Sequence, residues 1–365
     1  MKTEKKKGDR TGFSTGACAA AAARGALLAF LHRKKVEQVE ITLPLGEKVF
    51  FQISECLIES GYARCGVIKD AGDDPDVTHG ALIQCMVSFI PEPGVVRLKA
   101  GEGVGTVTQP GLGLEVGAPD ITRVPRKMIT REIEDAAGPV LKEKGVLAVV
   151  SVPGGEALAK KTELPRLGVV GGVGILGTTG IVRPYSTSAF RAGISLAVGS
   201  ARQRGYSHLV ITTGGMSEKF AKKWIQLPEG AFIQMGDFVG FTLQECVKKK
   251  IERVTISGMI GKLSKMAMGK MMTHAAGSEV DTGFLAQLAE SSGASPEAGE
   301  QIKKANTARH VAEMVQSYGL TSFFDQLSLK VCEAASRHIK GALSIECLMT
   351  DFEGNVIGKA LRNKE

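Results

Sequence analysis

The sequence predicts an α/β protein with two domains: an N-terminal α+β domain with a mixed sheet and a C-terminal, mostly parallel α/β sandwich. Three observations predict this class. The 365 residues exceed the usual length of one domain. Hydrophobic residues at 43% and 45 glycines suit a globular chain with many tight turns. In the C-terminal half, helical and strand patterns alternate, which favours parallel strands joined by right-handed crossovers.

The chain divides into three predicted segments. Residues 1–10, MKTEKKKGDR, are basic and polar, and we expect a disordered start. Residues 11–160 are predicted to form the N-terminal domain. Residues 161–365 are predicted to form the C-terminal domain, which ends in two helices and a β-hairpin.

In the N-terminal domain, an alanine-rich run predicts a firm helix with Ser14 or Thr15 as N-cap, because alanine is the best helix former. Alternating polar and apolar residues predict a hairpin over residues 36–53. The other predicted elements are strands over 63–69, 81–90, 94–99 and 146–152, and a helix over 124–144.

The C-terminal domain is predicted from its alternation of elements. Its helices are expected at 187–204, 217–224 and 238–250, its strands at 208–213, 231–235 and 253–257, two further helices within 296–340, and a hairpin from strands 343–349 and 356–361. Ligands of parallel sheets bind at the carboxyl ends of the strands. The loops over 212–216, 234–237 and 258–262 therefore predict a site at that edge.

Composition narrows the class of partner. A net charge of +8 with an aromatic fraction of 5% favours an acidic small molecule over a nucleic acid, because base stacking needs aromatic side chains. The seven cysteines include no C-x-x-C pair and are odd in number, which excludes a disulfide scaffold and a spaced zinc site. No apolar run reaches membrane-spanning length, and no signal core follows the basic start. We therefore expect a cytoplasmic enzyme without metal, nucleic-acid or membrane partner, and leave open whether it forms a homo-oligomer.

The stretch 165–184, PRLGVVGGVGILGTTGIVRP, contains backbone with little side-chain cover. Such backbone can curl closely around a ligand, and Arg183 adds a positive charge beside it. The candidate ligand-binding residues are Gly172, Gly174, Gly177, Thr178 and Thr179. The G-x-G-x-x-G match at 172–177 does not predict a dinucleotide site, because Pro184 delays the next helix to about Ser186. A close-packed turn without a ligand is the alternative.

The start of the alanine-rich helix is a second candidate anion site. Its N-terminal N–H groups attract negative charge, and small side chains let a ligand or other backbone approach. The candidate residues are Gly12, Ser14, Thr15 and Gly16. A tightly packed structural helix is the alternative.

An acidic loop follows the strand at 63–69. Its candidate acid–base residues are Asp70, Asp73, Asp74 and His79, with Asp76 also in the loop. Carboxylates this close repel one another unless something compensates. Three interpretations are open: a metal site, which the EF-hand pattern does not support; a loop that orients a cationic ligand or water; and a solvated turn.

Two further side chains belong to the predicted edge of the C-terminal sheet. Lys262 lies at the opening of a helix, and His274 is a candidate base or orienting donor a few turns on. A histidine with a purely structural role is the alternative.

Several stretches together resemble one family, the cobalt-precorrin-5B C(1)-methyltransferases of anaerobic cobalamin biosynthesis. They are GFSTGACAAAA from Gly12, VIKDAGDDPDVTHG from Val67, GEGVGTVT from Gly101, GVGILGTTGIVRP from Gly172, QMGDFVGF from Gln234 and GKL from Gly261. The resemblance runs in order over about residues 11–290. The acidic loop and the GTTGIVRP string are its most specific parts.

The resemblance implies that S-adenosylmethionine donates a methyl group to ring carbon C-1 of a cobalt-corrinoid with several carboxylates. Our hypothesis assigns the loop over 171–179 and the C-terminal sheet edge, with Gly214 and Gly215, to the methyl donor. The helix start, Arg183 and Lys262 would hold substrate carboxylates. The acidic loop or His274 would supply a base or orienting group. The two binding roles can be exchanged between the loops.

Two other functions are kept as alternatives. A phosphate-handling enzyme could use the same glycine loops, although no Walker sequence occurs. A non-catalytic corrinoid-binding protein of the same pathway is the other.

Overall fold

The computed structural model describes residues 8–274 and 280–365, and it divides the chain into two units, Met1–Ser186 and Thr187–Glu365. The boundary predicted after residue 160 falls inside the first unit. The glycine-rich stretch belongs to that unit because its backbone is bonded to segments more than 50 residues earlier in the chain. Most of the predicted disordered start, residues 1–7, lies outside the described residues.

The first unit is built around the alanine-rich helix α1 (Thr15–His32), whose N-cap is Ser14. The hydroxyl of Ser14 accepts a hydrogen bond from the N–H of Ala17 at 3.2 Å. In the described part of the chain, α1 is the one helix long and apolar enough to cross a membrane, with a mean hydropathy of 1.2. Of that window, 78% is buried within the structure, as expected of a core helix.

A five-stranded mixed sheet packs against α1. Besides α1, the elements of the first unit are β1 (Gly12–Phe13), β2 (Gln38–Thr42), β3 (Lys48–Gln52), β4 (Glu55–Ile58), β5 (Ala63–Ile68), β6 (Leu82–Ile90), β7 (Val96–Ala100), β8 (Thr106–Val107), α2 (Arg123–Ala137), β9 (Gly145–Ser151), α3 (Gly155–Ala159), β10 (Val169–Val170) and β11 (Ile181–Val182). The strand order is β4-β5-β6-β9-β7, and only the pair β7–β9 is parallel. The predicted mixed sheet is confirmed.

The second unit is a mostly parallel sheet with helices on both faces. Its elements are α4 (Thr187–Gln203), β12 (His208–Thr212), α5 (Gly215–Trp224), β13 (Phe232–Gln234), α6 (Val239–Lys248), β14 (Arg253–Met259), α7 (Ile260–Ala267), α8 (Thr282–Ser291), α9 (Pro296–Lys303), α10 (Ala308–Ser317), α11 (Ser322–His338), β15 (Ser344–Thr350) and β16 (Val356–Arg362). The order is β13-β12-β14-β15-β16, with only β16 antiparallel. The predicted parallel sheet and closing hairpin are confirmed.

The region 296–340 contains three helices, α9, α10 and α11, where the sequence analysis predicted two. Thr307 causes the extra break because its hydroxyl accepts from the N–H of His310 at 3.1 Å and so starts α10 anew. Gly319, at φ +70°, then provides the left-handed turn after that helix.

Candidate functional site

The glycine-rich stretch of the first unit is an extended segment held between two other pieces of backbone. On one side, Val173 N–H donates to Gly103 O at 2.9 Å, and its carbonyl accepts from Gly105 at 2.9 Å. On the other side, Ile175 N–H donates to Asp120 O at 2.8 Å. The side chains of Val173 and Ile175 enter the core, so the intervening glycine faces away from it.

Three of the predicted ligand-binding glycines are required by close packing. A Cβ on Gly172 would overlap the backbone of Gly103, and a Cβ on Gly177 would overlap the side chain of Ser14. A Cβ on Gly174 would lie 2.5 Å from Asp120 Oδ2. The close-packed alternative therefore accounts for these three positions. Thr178 beside them is exposed, and Thr179 is half-buried with its hydroxyl bonded to Ile181.

The start of α1 and the glycine-rich segment form one junction. Gly16 N–H donates to Leu176 O at 3.0 Å, and Ser14 N–H donates to Gly180 O at 2.9 Å. The hydroxyl of Thr15 donates to Gly174 O at 3.1 Å and accepts from Leu176 N–H at 2.9 Å. Two regions predicted as separate sites thus meet. Some of the hydrogen-bond donors at the start of α1 are already bonded to carbonyl groups of the glycine-rich segment.

The junction also includes the chain before α1. Gly12 pairs with Val182 between β1 and β11. A Cβ on Gly12 would overlap the backbone of Ala71, so this glycine too is required by packing.

The acidic loop is compensated by two basic side chains. Arg10 forms an ion pair with Asp70 and approaches Asp73 at 3.7 Å. A hydrogen bond from the guanidinium of Arg10 lowers the pKa of Asp70. A hydrogen bond from the backbone N–H of Arg10 lowers the pKa of Asp73. Lys69, only 1% exposed, bonds Asp76 at 2.6 Å. Two basic side chains therefore compensate three of the four aspartates, Asp70, Asp73 and Asp76.

The remaining candidates of this loop also have protein partners. Asp74 accepts from the N–H of Tyr185 at 3.1 Å. His79 is exposed, and its Nδ1 accepts from the N–H of Ala71 at 3.1 Å, so that the ring proton is carried by Nε2. Within residues 8–274 and 280–365, no group of three or more His, Cys, Asp or Glu side chains is arranged to hold a metal ion.

Asp120 is a candidate that the sequence analysis missed. It is 4% exposed, and its carboxylate makes no hydrogen bond or ion pair with any residue the structure describes. Burial raises the pKa of Asp120 to about 6. The residue stands alone in the segment GAPDIT, so no local pattern marks it.

Basic side chains flank the same junction. Arg183, an exposed residue, follows β11 directly, and no partner of its guanidinium is found in the described chain. Arg123 is exposed at the first turn of α2, one residue after Thr122, whose N–H donates to Ile175 O at 3.0 Å. Sequence reasoning identified Arg183 but missed Arg123, because nothing in the sequence placed α2 beside the glycine-rich stretch.

The second unit has a topological switch point. The chain leaves β12 for β13 on one side and returns to β14 on the other, and in doubly wound sheets ligands bind where the order reverses. Thr212 and Ser257 are register partners at the carboxyl ends of β12 and β14. Their hydroxyls, with that of Thr350 on β15, are buried and lack a hydrogen-bond partner among the described residues. Sequence reasoning predicted this edge but missed the three hydroxyls.

Lys262 joins the three loops at this edge. Its Nζ lies 3.0 Å from Asp237 Oδ1, donates to Thr213 O at 3.0 Å, and approaches Gly236 O at 3.5 Å. Burial alone would raise the pKa of Asp237, but the bond and charge of Lys262, helped by Thr273 and His274, hold it below its ordinary value. The predicted residues Lys262 and His274 therefore act on one carboxylate.

Gly214 and Gly215, at the start of α5, differ from the glycines of the first unit. A Cβ on Gly214 would meet nothing within 4 Å, and one on Gly215 would come no closer than 3.7 Å to Gln234. Packing does not require these glycines, so the space above them is open to a ligand. A shallow cavity of about 400 Å³ also lies at the start of α9, beside Tyr318 and Leu320, and none of the predicted site residues lines it.

The fold defines a protein of two α/β units, the second doubly wound with a polar switch point. Comparison with known proteins identifies the family. The chain matches the CbiD family over residues 2–184 and the CbiD C-terminal domain over residues 272–361. This chain belongs to the CbiD family.

Individual relatives are similar over nearly the whole chain. It is 47% identical over 360 residues to the cobalt-precorrin-5B C(1)-methyltransferase of Geobacillus kaustophilus, covering 98% of this chain and 96% of the relative. It is 46% identical over 360 residues to the protein of that name from Geobacillus thermodenitrificans, with the same coverage. The crystal structure of a cobalamin biosynthesis protein (cbiD) from Archaeoglobus fulgidus matches with 30% identity and a TM-score of 0.38, over 71% of this chain and 79% of that one.

Proposed function

We propose that this chain is a methyltransferase that transfers a methyl group to C-1 of cobalt-precorrin-5B, giving cobalt-precorrin-6A in anaerobic cobalamin biosynthesis. The observation that carries the proposal is the identity of 47% over 98% of the chain to a relative named for this reaction. The resemblance of the acidic loop and the GTTGIVRP string to the family points to the same reaction.

The corrinoid is assigned to the junction in the first unit. Its acetate and propionate carboxylates need cationic donors, and the guanidinium groups of Arg183 and Arg123 flank the junction. Leu176 on the glycine-rich stretch and Tyr185 directly after it are both exposed and supply apolar surface for the macrocycle. The packed glycines Gly172, Gly174 and Gly177 are then proposed to shape the surface that the corrinoid contacts.

S-adenosylmethionine is proposed as the methyl donor, bound at the switch point of the second unit. The residues there fit it. Gly214 and Gly215 leave room against the start of α5, and the hydroxyl of Thr213 is a polar group for a ribose. Asp237 provides negative charge for the sulfonium or ammonium, because Lys262 and its other partners keep it ionised. When bound, the donor supplies an activated methyl group on a sulfonium sulfur.

The contribution of the protein to such a transfer is alignment. Methyl transfer is an in-line displacement, and positioning two reactants can account for roughly 7–11 kcal/mol of the barrier. Ion pairs of Arg10 with Asp70 and of Lys69 with Asp76 make the acidic loop a rigid support. The Nε2–H of the exposed His79 is proposed to orient a polar group of the substrate.

The proposal is tested by turnover and by ligand binding. Purified protein incubated with cobalt-precorrin-5B and S-adenosylmethionine carrying a radiolabelled methyl is expected to transfer the label to the corrinoid. Calorimetry is expected to detect S-adenosylhomocysteine but not ATP. Binding of ATP alone would favour a phosphate-handling enzyme, and corrinoid binding without label transfer would favour a non-catalytic pathway protein.

The broader setting is part of the same proposal. We propose that the protein works in the cytoplasm on small molecules, without a nucleic-acid or membrane partner.

A further inference from the structure

The buried carboxylate of Asp120 faces the glycine-rich segment. Asp120 Oδ2 would lie 2.5 Å from a Cβ on residue 174, so the absence of a side chain at Gly174 makes room for the carboxylate. The segment carrying Asp120 is fixed on both sides: its N–H donates to Gly105 O at 2.7 Å, and its carbonyl accepts from Ile175 at 2.8 Å. The backbone that carries the carboxylate is therefore held by two neighbouring segments.

Asp120 lacks the partner that a buried carboxylate normally needs. Burying a polar group without a hydrogen bond is unfavourable, and burying an unpaired charge is more so. The neighbouring helices carry titratable side chains, among them Cys18 in the first turn of α1 and Arg123 and Arg126 in the first turn of α2. None of them forms a hydrogen bond or ion pair with Asp120 in the described structure, and burial alone accounts for its raised pKa. A packing role does not explain an aspartate here, because an apolar residue would avoid the cost.

The junction around Asp120 is where the substrate is proposed to bind. Thr15 bonds to Gly174 on the side of α1, and Arg123 begins α2 three residues after Asp120. A Cβ on Gly174 would lie close to Asp120 Oδ2 and also 3.4 Å from Leu176 Cδ2, so the exposed side chain of Leu176 lies near the carboxylate. A ligand that displaces the Leu176 side chain would therefore face the carboxylate of Asp120. The missing partner of Asp120 is then a group of the substrate.

We propose that Asp120 is the catalytic base of the methyl transfer, accepting the proton that the corrinoid loses. This rests on the proposed function. In the reaction, the bond between methyl carbon and sulfur breaks with its electron pair going to sulfur. An electron pair of the macrocycle forms the new carbon–carbon bond at C-1. The macrocycle then releases one proton, which Asp120 Oδ2 takes, so that the products are the neutral thioether, the methylated corrinoid and the protonated carboxyl group.

The raised pKa of Asp120 suits this role. A general base is most effective when its pKa lies close to the working pH, and general acid–base catalysis contributes typically 10²–10⁴-fold. Replacing the carboxylate with an amide of the same shape removes the proton acceptor and leaves the packing nearly unchanged.

The test compares Asp120→Asn with Asp120→Glu and with Asp135→Asn, a control on the exposed face of α2 in the same unit. Transfer of radiolabelled methyl gives kcat and KM for the corrinoid, and calorimetry gives the affinity for S-adenosylhomocysteine. We expect Asp120→Asn to lower kcat about 100-fold or more, to change KM and the affinity less than about 3-fold, and to remove an acid limb near pH 6 from the wild-type profile of kcat/KM. Asp120→Glu should recover part of kcat, and Asp135→Asn should match the wild type.

Each other outcome overturns the proposal in a recognisable way. If Asp120→Asn keeps more than about a third of the wild-type kcat, or affects only KM or donor affinity, Asp120 is not the base. If Asp120→Asn does not fold, the wild-type profile and Asp120→Glu decide: an acid limb near pH 6 in the wild type, together with partial kcat in Asp120→Glu, supports the role, and absence of that limb contradicts it. If the wild type itself transfers no methyl group, the proposed function fails first, and this proposal fails with it.

Discussion

The ammonium group of Lys69, on a side chain only 1% exposed, lies 2.6 Å from Asp76 Oδ2. Thr78 donates to the other carboxylate oxygen from its N–H at 2.8 Å and its hydroxyl at 2.6 Å. This pair of a buried lysine and a partly exposed aspartate ties the acidic loop to the residue that follows β5. The loop is therefore held by a charge pair and hydrogen bonds within the first unit.

Asp76→Asn is expected to destabilise the protein by about 3–5 kcal/mol, because it leaves the buried ammonium of Lys69 without its counter-charge. Urea unfolding measures the free energy of unfolding. The control Asp74→Asn should cost less than about 1 kcal/mol, because an amide oxygen can still accept from Tyr185. Equal losses in the two variants would contradict the assigned role of the pair.

The stability that the Lys69–Asp76 pair provides depends on pH. Burial would raise the pKa of Asp76, but hydrogen bonds from Lys69 and Thr78 outweigh it and lower the pKa below its ordinary 3.8. The stabilisation is therefore complete above about pH 4 and is lost as pH falls through the folded pKa. Asp76→Asn should lose less stability than the wild type over that acidic range.

Gly172→Ala is expected to destabilise the protein by about 3 kcal/mol or more, because the new methyl group would overlap the backbone of Gly103, which cannot move aside as a flexible side chain would. Thermal unfolding and urea unfolding measure the effect. Gly215→Ala is the matched control, since its Cβ would meet only ordinary contact and should cost less than about 1 kcal/mol. A stable Gly172→Ala protein would show that the segment is not packed as described.

Gly215→Leu is expected to weaken binding of S-adenosylhomocysteine about 10-fold or more, because the side chain fills the open space proposed for the methyl donor. Calorimetry measures the affinity. Gly193→Leu on α4, where a Cβ also meets nothing within 4 Å, is the control and should bind as the wild type does. Unchanged affinity in both variants would place the methyl donor away from this edge.

Arg183→Ala is expected to raise KM for the corrinoid about 10- to 100-fold, because a charge-assisted hydrogen bond to a carboxylate contributes about 1.5–3 kcal/mol. Stability should be unchanged, as Arg183 is exposed. Steady-state kinetics gives KM, with Arg131→Ala on the exposed face of α2 as control. A loss of kcat with KM unchanged would contradict a role in binding carboxylates.

Asp120 should make the protein less stable as pH rises. Its folded pKa is raised from 3.8 to about 6, so the folded state binds more protons than the unfolded state between these values. Stability therefore falls from about pH 4 to pH 6, by on the order of 2–3 kcal/mol, and is level above. Asp120→Asn should lack this decline. Chemical unfolding at several pH values measures it, and an identical decline in the variant would contradict the assignment.

The sequence predicted the regular elements well where the period of the apolar residues is clear. The α1 helix, the hairpin of β2 and β3, and the alternation from α4 to β14 follow the predicted spans closely. The extra break at Thr307 was missed because apolar residues continue on both sides of it, and only the cap shows where α10 begins.

The site was harder to predict because its partners are far apart in sequence. Glycine density at 172–177 correctly marked an unusual segment, but the reasons for it are Gly103, Ser14 and Asp120, between 54 and 163 residues away. Asp120 belongs to no sequence motif. It stands out only in the structure, because its buried carboxylate has no hydrogen-bond or charge partner among the described residues. By contrast, the position of this sheet edge was predictable, because strand alternation alone indicates where the carboxyl ends of parallel strands lie.

The most direct measurement is the fate of a labelled methyl group. Protein mixed with cobalt-precorrin-5B and S-adenosylmethionine labelled with carbon-13 at the methyl should give one S-adenosylhomocysteine per methylated corrinoid, with the carbon-13 signal at C-1 by NMR. Label at another ring position, or donor consumed without methylated corrinoid, would contradict the account.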